Sequence, residues 1–215
     1  MKGKGTARLR KPRGRYHHGA LRAALVSTAL RVVAEEGVGA LSLRDLARRL
    51  GVSHAAPAHH FPDRTSLLVA LAGDGFARLG EDLAAGAAAA GPARGERLVA
   101  AGRAYVGFAL DHPGHFRVMF GPHVAALPRA PGEVVRAAQA GWRVIEEAVE
   151  DVVGAGDPRV PQLSFAAWTL LHGASTLYLD GLLRLQIPDL AERPAFEAWV
   201  ERALASLFES LGPRP

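Results

Sequence analysis

The stretch from Leu41 to Phe61, LSLRDLARRLGVSHAAPAHHF, constrains the fold more than any other part of the chain. Ser42 stands where a helix N-cap belongs, and Asp45 follows three residues later, the spacing of a capping box. Leu43, Leu46, Ala47 and Leu50 then share one face at helical spacing. Gly51 supplies a sharp exit from that helix. Ser53 caps a further short helix, expected to run to about Phe61. Two short helices joined by Gly51-Val52-Ser53 make a helix-turn-helix pattern, the kind whose second helix enters the major groove of DNA. Pro57 disturbs the pattern, because its missing N–H removes the first intrahelical bond. The second helix therefore either starts near Ala55 or Ala56 or has a loose first turn.

Helical spacing continues on both sides. Leu21, Leu25, Thr28, Ala29 and Val32 repeat from His18 until Gly37. Downstream, apolar periodicity predicts helices over residues 64–90, 93–111, 115–120, 132–153, 160–186 and 194–211, separated by glycine and proline breaks. No run alternates with period two. The expected fold is all-α, about nine helices in total: a three-helix helix-turn-helix domain at 1–62 and a larger helical bundle at 63–215. With 215 residues, 49% of them hydrophobic, the chain can bury a core. Residues 160–179 carry no charge and are long enough to span a bilayer. Their serines, threonines, His172 and Pro161 favour a helix buried in a core or a subunit interface.

The net charge of +5 conceals an asymmetry: residues 1–64 hold thirteen Lys and Arg against four Asp and Glu, and the remainder thirteen against seventeen. A clustered positive field suits a polyanion, since neutralising phosphates releases counterions. Residues 1–15 are a basic arm, read either as a segment that enters a minor groove or as a tail that raises non-specific affinity. His54, His59 and His60 have the wrong spacing to share one face of a helix around a metal ion. Small residues there, with Ser53 and His54 as hydrogen-bonding groups, suit close approach to base edges instead. A looser histidine group, His112, His115 and His123, keeps a metal-responsive variant open. Nucleotide-binding glycine loops, the nucleophile elbow and the HExxH zinc motif are all missing, and Ser164, His172 and Asp180 stand eight apart on one helix. The sequence thus points away from an enzyme and implies no cofactor. It has no cysteine and no apolar run at its start, which fits a cytoplasmic protein.

The segment GVGALSLRDLARRLGVSHAAPAHHFPDRTSLL resembles the DNA-binding domain of TetR-family transcriptional regulators, over about His18 to Leu71. Its marks are the Gly37 break, Leu46-Ala47, Gly51-Val52-Ser53, His60-Phe61, Arg64 and Leu67-Leu68. In AAWTLLHGASTLYLDGLL, the residues Trp168, His172 and Gly173 resemble the Trp-His-Gly signature of one C-terminal domain type in that family. The resemblance implies a homodimer closed by the last two helices, an operator in double-stranded DNA, a small-molecule effector, and repression relieved by that effector. A helical DNA-binding protein without an effector is the alternative. Carried over position by position, Ser42, Arg44, Ser53, His54, Ala55, His59 and Arg64 fall where the family contacts DNA. Ala58 stands where the family usually has an aromatic residue, and Pro57 where it usually has leucine. For the effector, Trp142, Trp168 and His172 are the leading candidates, with Phe108, Phe116 and Met119 beside them. His172 is read equally well as a satisfied core or interface histidine.

Overall fold

In the computed structural model, residues 18–121, 124 and 131–209 are described. The basic arm and His123 lie outside them. Among the described residues there are nine α-helices and no strand. They are α1 (His18–Glu36), α2 (Leu43–Leu50), α3 (Arg64–Ala88), α4 (Glu96–Asp111), α5 (Pro113–Met119), α6 (Gly132–Val153), α7 (Val160–Leu179), α8 (Leu183–Gln186) and α9 (Arg193–Glu209). None is long and apolar enough to cross a membrane.

The apolar faces assemble two cores. Leu21, Leu25, Val32 and Val33 of α1 meet Leu46 of α2 and Leu67, Leu68 and Leu71 of α3 in the first. Leu79 and Leu83, farther along α3, belong to the second with α4, α6, α7 and α9. Phe76 packs against both. One helix thus runs from the helix-turn-helix into the larger bundle. The short α5 is the other joint. Gly114 lies so close to α1 that a Cβ would meet the Leu30 carbonyl oxygen at 2.3 Å. A Cβ on Gly75 of α3 would meet the Met119 sulfur at 2.5 Å and the His115 Cβ at 3.2 Å.

Four expectations are corrected. The helix expected from Ser53 to Phe61 is not an α-helix but turns followed by a 3-10 segment, Pro57–His59. Ala56, Ala58, His59 and His60 donate to Ser53, Ala55, Ala56 and Pro57, all three residues back. Pro57 has no N–H to give, and it is buried. The helix expected over 160–186 breaks after Leu179. Gly181 adopts φ +73°, Leu182 N–H bonds Leu177 O and Gly181 N–H bonds Tyr178 O, a Schellman exit. The capping box is only half made at Ser42, whose Oγ accepts from Asp45 N–H at 3.3 Å. Asp45 turns its carboxylate to Arg48 and Arg49 instead. A complete box forms at Asp63 and Ser66, at the start of α3. Finally, a homodimer closed by the last two helices would put apolar Leu204 of the last helix at the interface, yet it is 1% exposed and fills the space beside Gly102 and Leu171 of its own chain.

Candidate nucleic-acid interface and aromatic cavity

The turn Gly51-Val52-Ser53 is set by a left-handed Gly51 (φ +65°), with Val52 N–H bonded to Ala47 O. Beyond it Ser53, His54, Ala55, Ala58 and His59 are exposed, while Pro57 and Phe61 are buried. Small side chains face out and the apolar anchors face in, so backbone and base edges can approach closely. Arg44 and Ser42 lie on the exposed side of α2. Arg22 of α1 stands over the Phe61 ring, 5.3 Å from its centre. Hydrogen bonds from Arg49, and then Arg48, hold the Asp45 carboxyl below its ordinary pKa. Arg49 also reaches Glu36 at 2.7 Å, tying α2 to the end of α1. Arg64 behaves differently: its guanidinium donates to Leu41 O at 2.9 Å and Val38 O at 2.7 Å. It is fastened to the turn that precedes α2.

The larger unit holds a cavity of about 380 Å³. Phe76, Leu79 and Leu83 of α3 form one wall, Trp142 and Ile145 of α6 another, and Phe165 and Trp168 of α7 a third. No charged side chain lines it. Trp142 and Trp168 meet edge to face at 6.4 Å. Behind Trp168, His172 stacks on its ring at 5.2 Å and touches Phe116 and Phe120. The Tyr105 hydroxyl lies 3.1 Å from His172 Nδ1. Burial raises the Tyr105 pKa, against a weaker pull from the Trp168 indole N–H. Burial also lowers the His172 pKa. The Tyr105 contact engages Nδ1 and leaves Nε2 as the other polar atom of the ring.

Two family models cover most of the chain. Residues 25–71 match "Bacterial regulatory proteins, tetR family", and residues 98–203 match "Tetracyclin repressor-like, C-terminal domain". A solved protein of unknown function from Rhodococcus sp. RHA1 is 35% identical over 93% of this chain and 99% of its own, with a TM-score of 0.74. This chain belongs to the TetR family. Two further TetR-like structures share the fold at lower identity. A tetR-family regulatory protein from Rhodococcus RHA1 is 20% identical, covering 91% of this chain and 98% of that one, at a TM-score of 0.71. AibR, solved in complex with isovaleryl coenzyme A and operator DNA, is 16% identical, covering 87% and 97%, at a TM-score of 0.67. No curated protein matches the chain.

As a TetR-family transcriptional regulator the chain is a DNA-binding protein, and its helix-turn-helix is the part built for that work. Of the residues expected at DNA, Ser42, Arg44, Ser53, His54, Ala55 and His59 are brought onto the exposed side, whereas Arg64 is half-buried. Of the ligand candidates, Trp142 and Trp168 line the cavity. His172 and Phe116 line a separate, smaller cleft, and Phe108 and Met119 are buried in the surrounding packing. The α3 wall of Phe76, Leu79 and Leu83 was not singled out by sequence reasoning, since its spacing reads as plain core. Phe165 was overlooked too, although it lies three residues before Trp168. The Trp168, His172 and Gly173 signature falls inside the C-terminal match. Among the described residues, no group of three His, Cys, Asp or Glu side chains is placed to hold a metal ion.

His115 gives the fold a pH dependence. It is 5% exposed, and its Nε2 donates to Asp74 Oδ2 at 2.8 Å. Asp74 also accepts from Arg78 at 2.9 Å, and the His112 ring packs edge-on against His115. Burial holds the His115 pKa below its ordinary 6.5, against the pull of Asp74. Burial pushes Asp74 up, but its bonds from Arg78 and His115 outweigh that and lower it. A lowered histidine pKa adds stability that is complete above pH 6.5 and is lost as pH falls below it, when the unfolded chain takes up the proton first. His172 acts in the same direction. The melting temperature is therefore expected to fall on acidification below 6.5, and His115→Gln should flatten part of that fall. An unchanged pH profile in the variant would show that His115 titrates normally.

Proposed function

We propose that this TetR-family protein is a homodimeric repressor that binds a palindromic operator and releases it when a mostly apolar small molecule enters the aromatic cavity. The observation that carries this reading is the placement of α3. Its first turns pack in the DNA-binding core, and its Phe76, Leu79 and Leu83 form a wall of the cavity. A guest that pushes on that wall moves the helix-turn-helix. A dimer must hold its two reading segments about 34 Å apart to enter successive major grooves, so a small tilt of α3 spoils the fit. The DNA-binding part extends to about residue 62 and the effector and dimerisation part follows, with α3 shared by both cores. AibR, solved with both isovaleryl coenzyme A and operator DNA, supports the pairing of a small-molecule site with DNA binding in this fold.

The lining chooses the guest. A charge moved into an uncharged aromatic cavity loses its hydration without a partner. Neutral apolar compounds should therefore quench the tryptophan fluorescence saturably and release operator DNA. Ala138→Phe, which places a ring in the cavity, should weaken such binding at least tenfold while operator affinity without ligand stays nearly the same. Compounds that bind yet leave operator affinity unchanged would defeat the effector reading.

The exposed apolar residues of α7 and α9 support the dimer reading. Phe165 is 58% exposed, Leu177 44% and Leu207 38%, whereas Leu204 is internal. Leu207→Glu should dissociate the dimer into folded monomers in sedimentation. Leu204→Glu should instead unfold the chain, because it buries an unpaired charge. A tight dimer with glutamate at 207 would place the interface elsewhere.

A further inference from the structure

The aromatic cavity offers a guest one main kind of surface. Leu79, Leu83 and Ile145 line it but are only 5%, 1% and 3% exposed, so their surface is already spent on neighbouring side chains. The rings are less covered. Phe76, Phe120, Trp142 and Trp168 are half-buried, and Phe165 is exposed. What a guest touches is therefore mostly ring. α3, α6, α7 and the end of α5 bring these rings together as one connected set. Phe76 meets Phe120 at 5.6 Å, Phe120 meets Trp168 at 6.1 Å, and Trp168 meets Trp142 at 6.4 Å and Phe165 at 5.7 Å. Successive planes are turned by 81°, 49°, 77° and 46°, so the set presents ring edges as well as ring faces. Ala137 and Ala138 of α6 are small and leave the space between the rings open. Exposed Gln139 lies at its edge, where a polar substituent stays hydrated. The volume, about 380 Å³, falls within the range of small-molecule sites, about 300–1,000 Å³.

Ring surface discriminates between guests of equal size. Aromatic pairs attract through their quadrupoles, edge to face or offset, beyond what buried area alone contributes. A saturated guest gains only from area. A cation gains from the ring faces, but no carboxylate lines the cavity to offset its lost hydration. We propose that the ligand of this cavity is a neutral, planar compound of fused aromatic rings with at most one polar substituent. The proposal rests on the reading of the cavity as the effector site, and it narrows the ligand from apolar compounds in general to aromatic ones. Phe76 carries the consequence outward, because it touches the guest and packs against both cores.

Probes of equal carbon count test this by calorimetric titration of the full-length protein: 2-naphthol, its saturated analogue 2-decalol, the open chain 1-decanol, and the cation N-methylquinolinium. Good ring contacts should give 2-naphthol an advantage of about tenfold over 2-decalol. Buried area alone predicts the reverse order, since the saturated skeleton is the larger. 1-Decanol should bind more weakly than 2-naphthol, and N-methylquinolinium about tenfold more weakly. Phe165→Leu and Trp142→Leu each exchange a ring for an aliphatic side chain. Each should weaken 2-naphthol at least threefold and 2-decalol less than twofold. Ala138→Phe, which fills the cavity, should weaken 2-naphthol at least tenfold. The proposal is overturned if any other probe binds as tightly as 2-naphthol, if Phe165→Leu and Trp142→Leu weaken 2-naphthol and 2-decalol alike, or if Ala138→Phe leaves 2-naphthol binding intact. The four probes on the unaltered protein decide the matter even if a variant fails to fold. Operator DNA separates this proposal from the effector reading. Probes that bind in the expected order yet leave operator affinity unchanged defeat the effector reading alone. Operator release by 2-decalol at an affinity equal to that of 2-naphthol defeats the aromatic class alone, and failure of every probe to bind defeats both.

Discussion

Gly114→Ala is expected to separate the DNA-binding core from the larger bundle. The new Cβ would sit 2.3 Å from the Leu30 carbonyl oxygen, 3.0 Å from its carbon and 3.1 Å from its Cα. These are backbone atoms of α1, so no side-chain rotation relieves the clash, and α1 or α5 must move. Overpacking of this kind costs about 3 kcal/mol. For a chain of this length that lowers the melting temperature by roughly 6–12 °C. Operator affinity should fall with it, because α5 sets how the two cores face each other. Gly107→Ala is the matched control: it lies within α4 with nothing within 4 Å of the added carbon. There the substitution should raise stability by up to about 1 kcal/mol through helix propensity. Calorimetry on both variants checks the pair. Equal melting temperatures would mean that α1 and α5 do not pack as closely as described.

Arg64→Ala should be the second most damaging change, through the architecture rather than through phosphate. The guanidinium caps two carbonyls, Leu41 O and Val38 O, on the turn that launches α2. Hydrogen bonds from a charged donor contribute about 1.5–3 kcal/mol each. Because Arg64 is only half-buried, the loss should come to about 3 kcal/mol in denaturant unfolding. Operator binding should drop on specific and scrambled DNA alike, since the reading segment is no longer held at its angle. Arg64→Lys retains the charge but not the fork, and should recover little of either. A lysine variant with full stability and full affinity would show that charge alone matters there, as a direct phosphate contact requires.

The long helices, the Gly51 turn and the apolar stripe of α1 were legible because each has a local cause: periodicity, a left-handed glycine, a cap. Failures occurred where the cause was not local. Pro57 signalled trouble, but only the bonds around it show that the segment resolves as a 3-10 turn with the ring buried. Gly181 had the right identity for a helix exit and was passed over because apolar residues continue beyond it through Ile187. Leu204 shows the limit of periodicity, which says that a face is apolar, not which neighbour covers it. Gly102 makes room for it from within the same chain. The aromatic cavity was half visible. Trp142 and Trp168 are conspicuous in a chain with three tryptophans, whereas Phe76, Leu79 and Leu83 look like any core stripe. The role of Arg64 depends on carbonyls distant in sequence, which no spacing rule reaches.

Selection of DNA from a random pool by the purified full-length protein tests the central claim most directly. The account predicts enrichment of an inverted repeat whose half-sites lie about one helical turn apart. Binding to it should be lost at saturating concentrations of a neutral apolar ligand, and log affinity should fall steeply and linearly with log salt as phosphate contacts release counterions. Enrichment of no site, of a site without a dyad, or of one whose affinity ignores salt would contradict it.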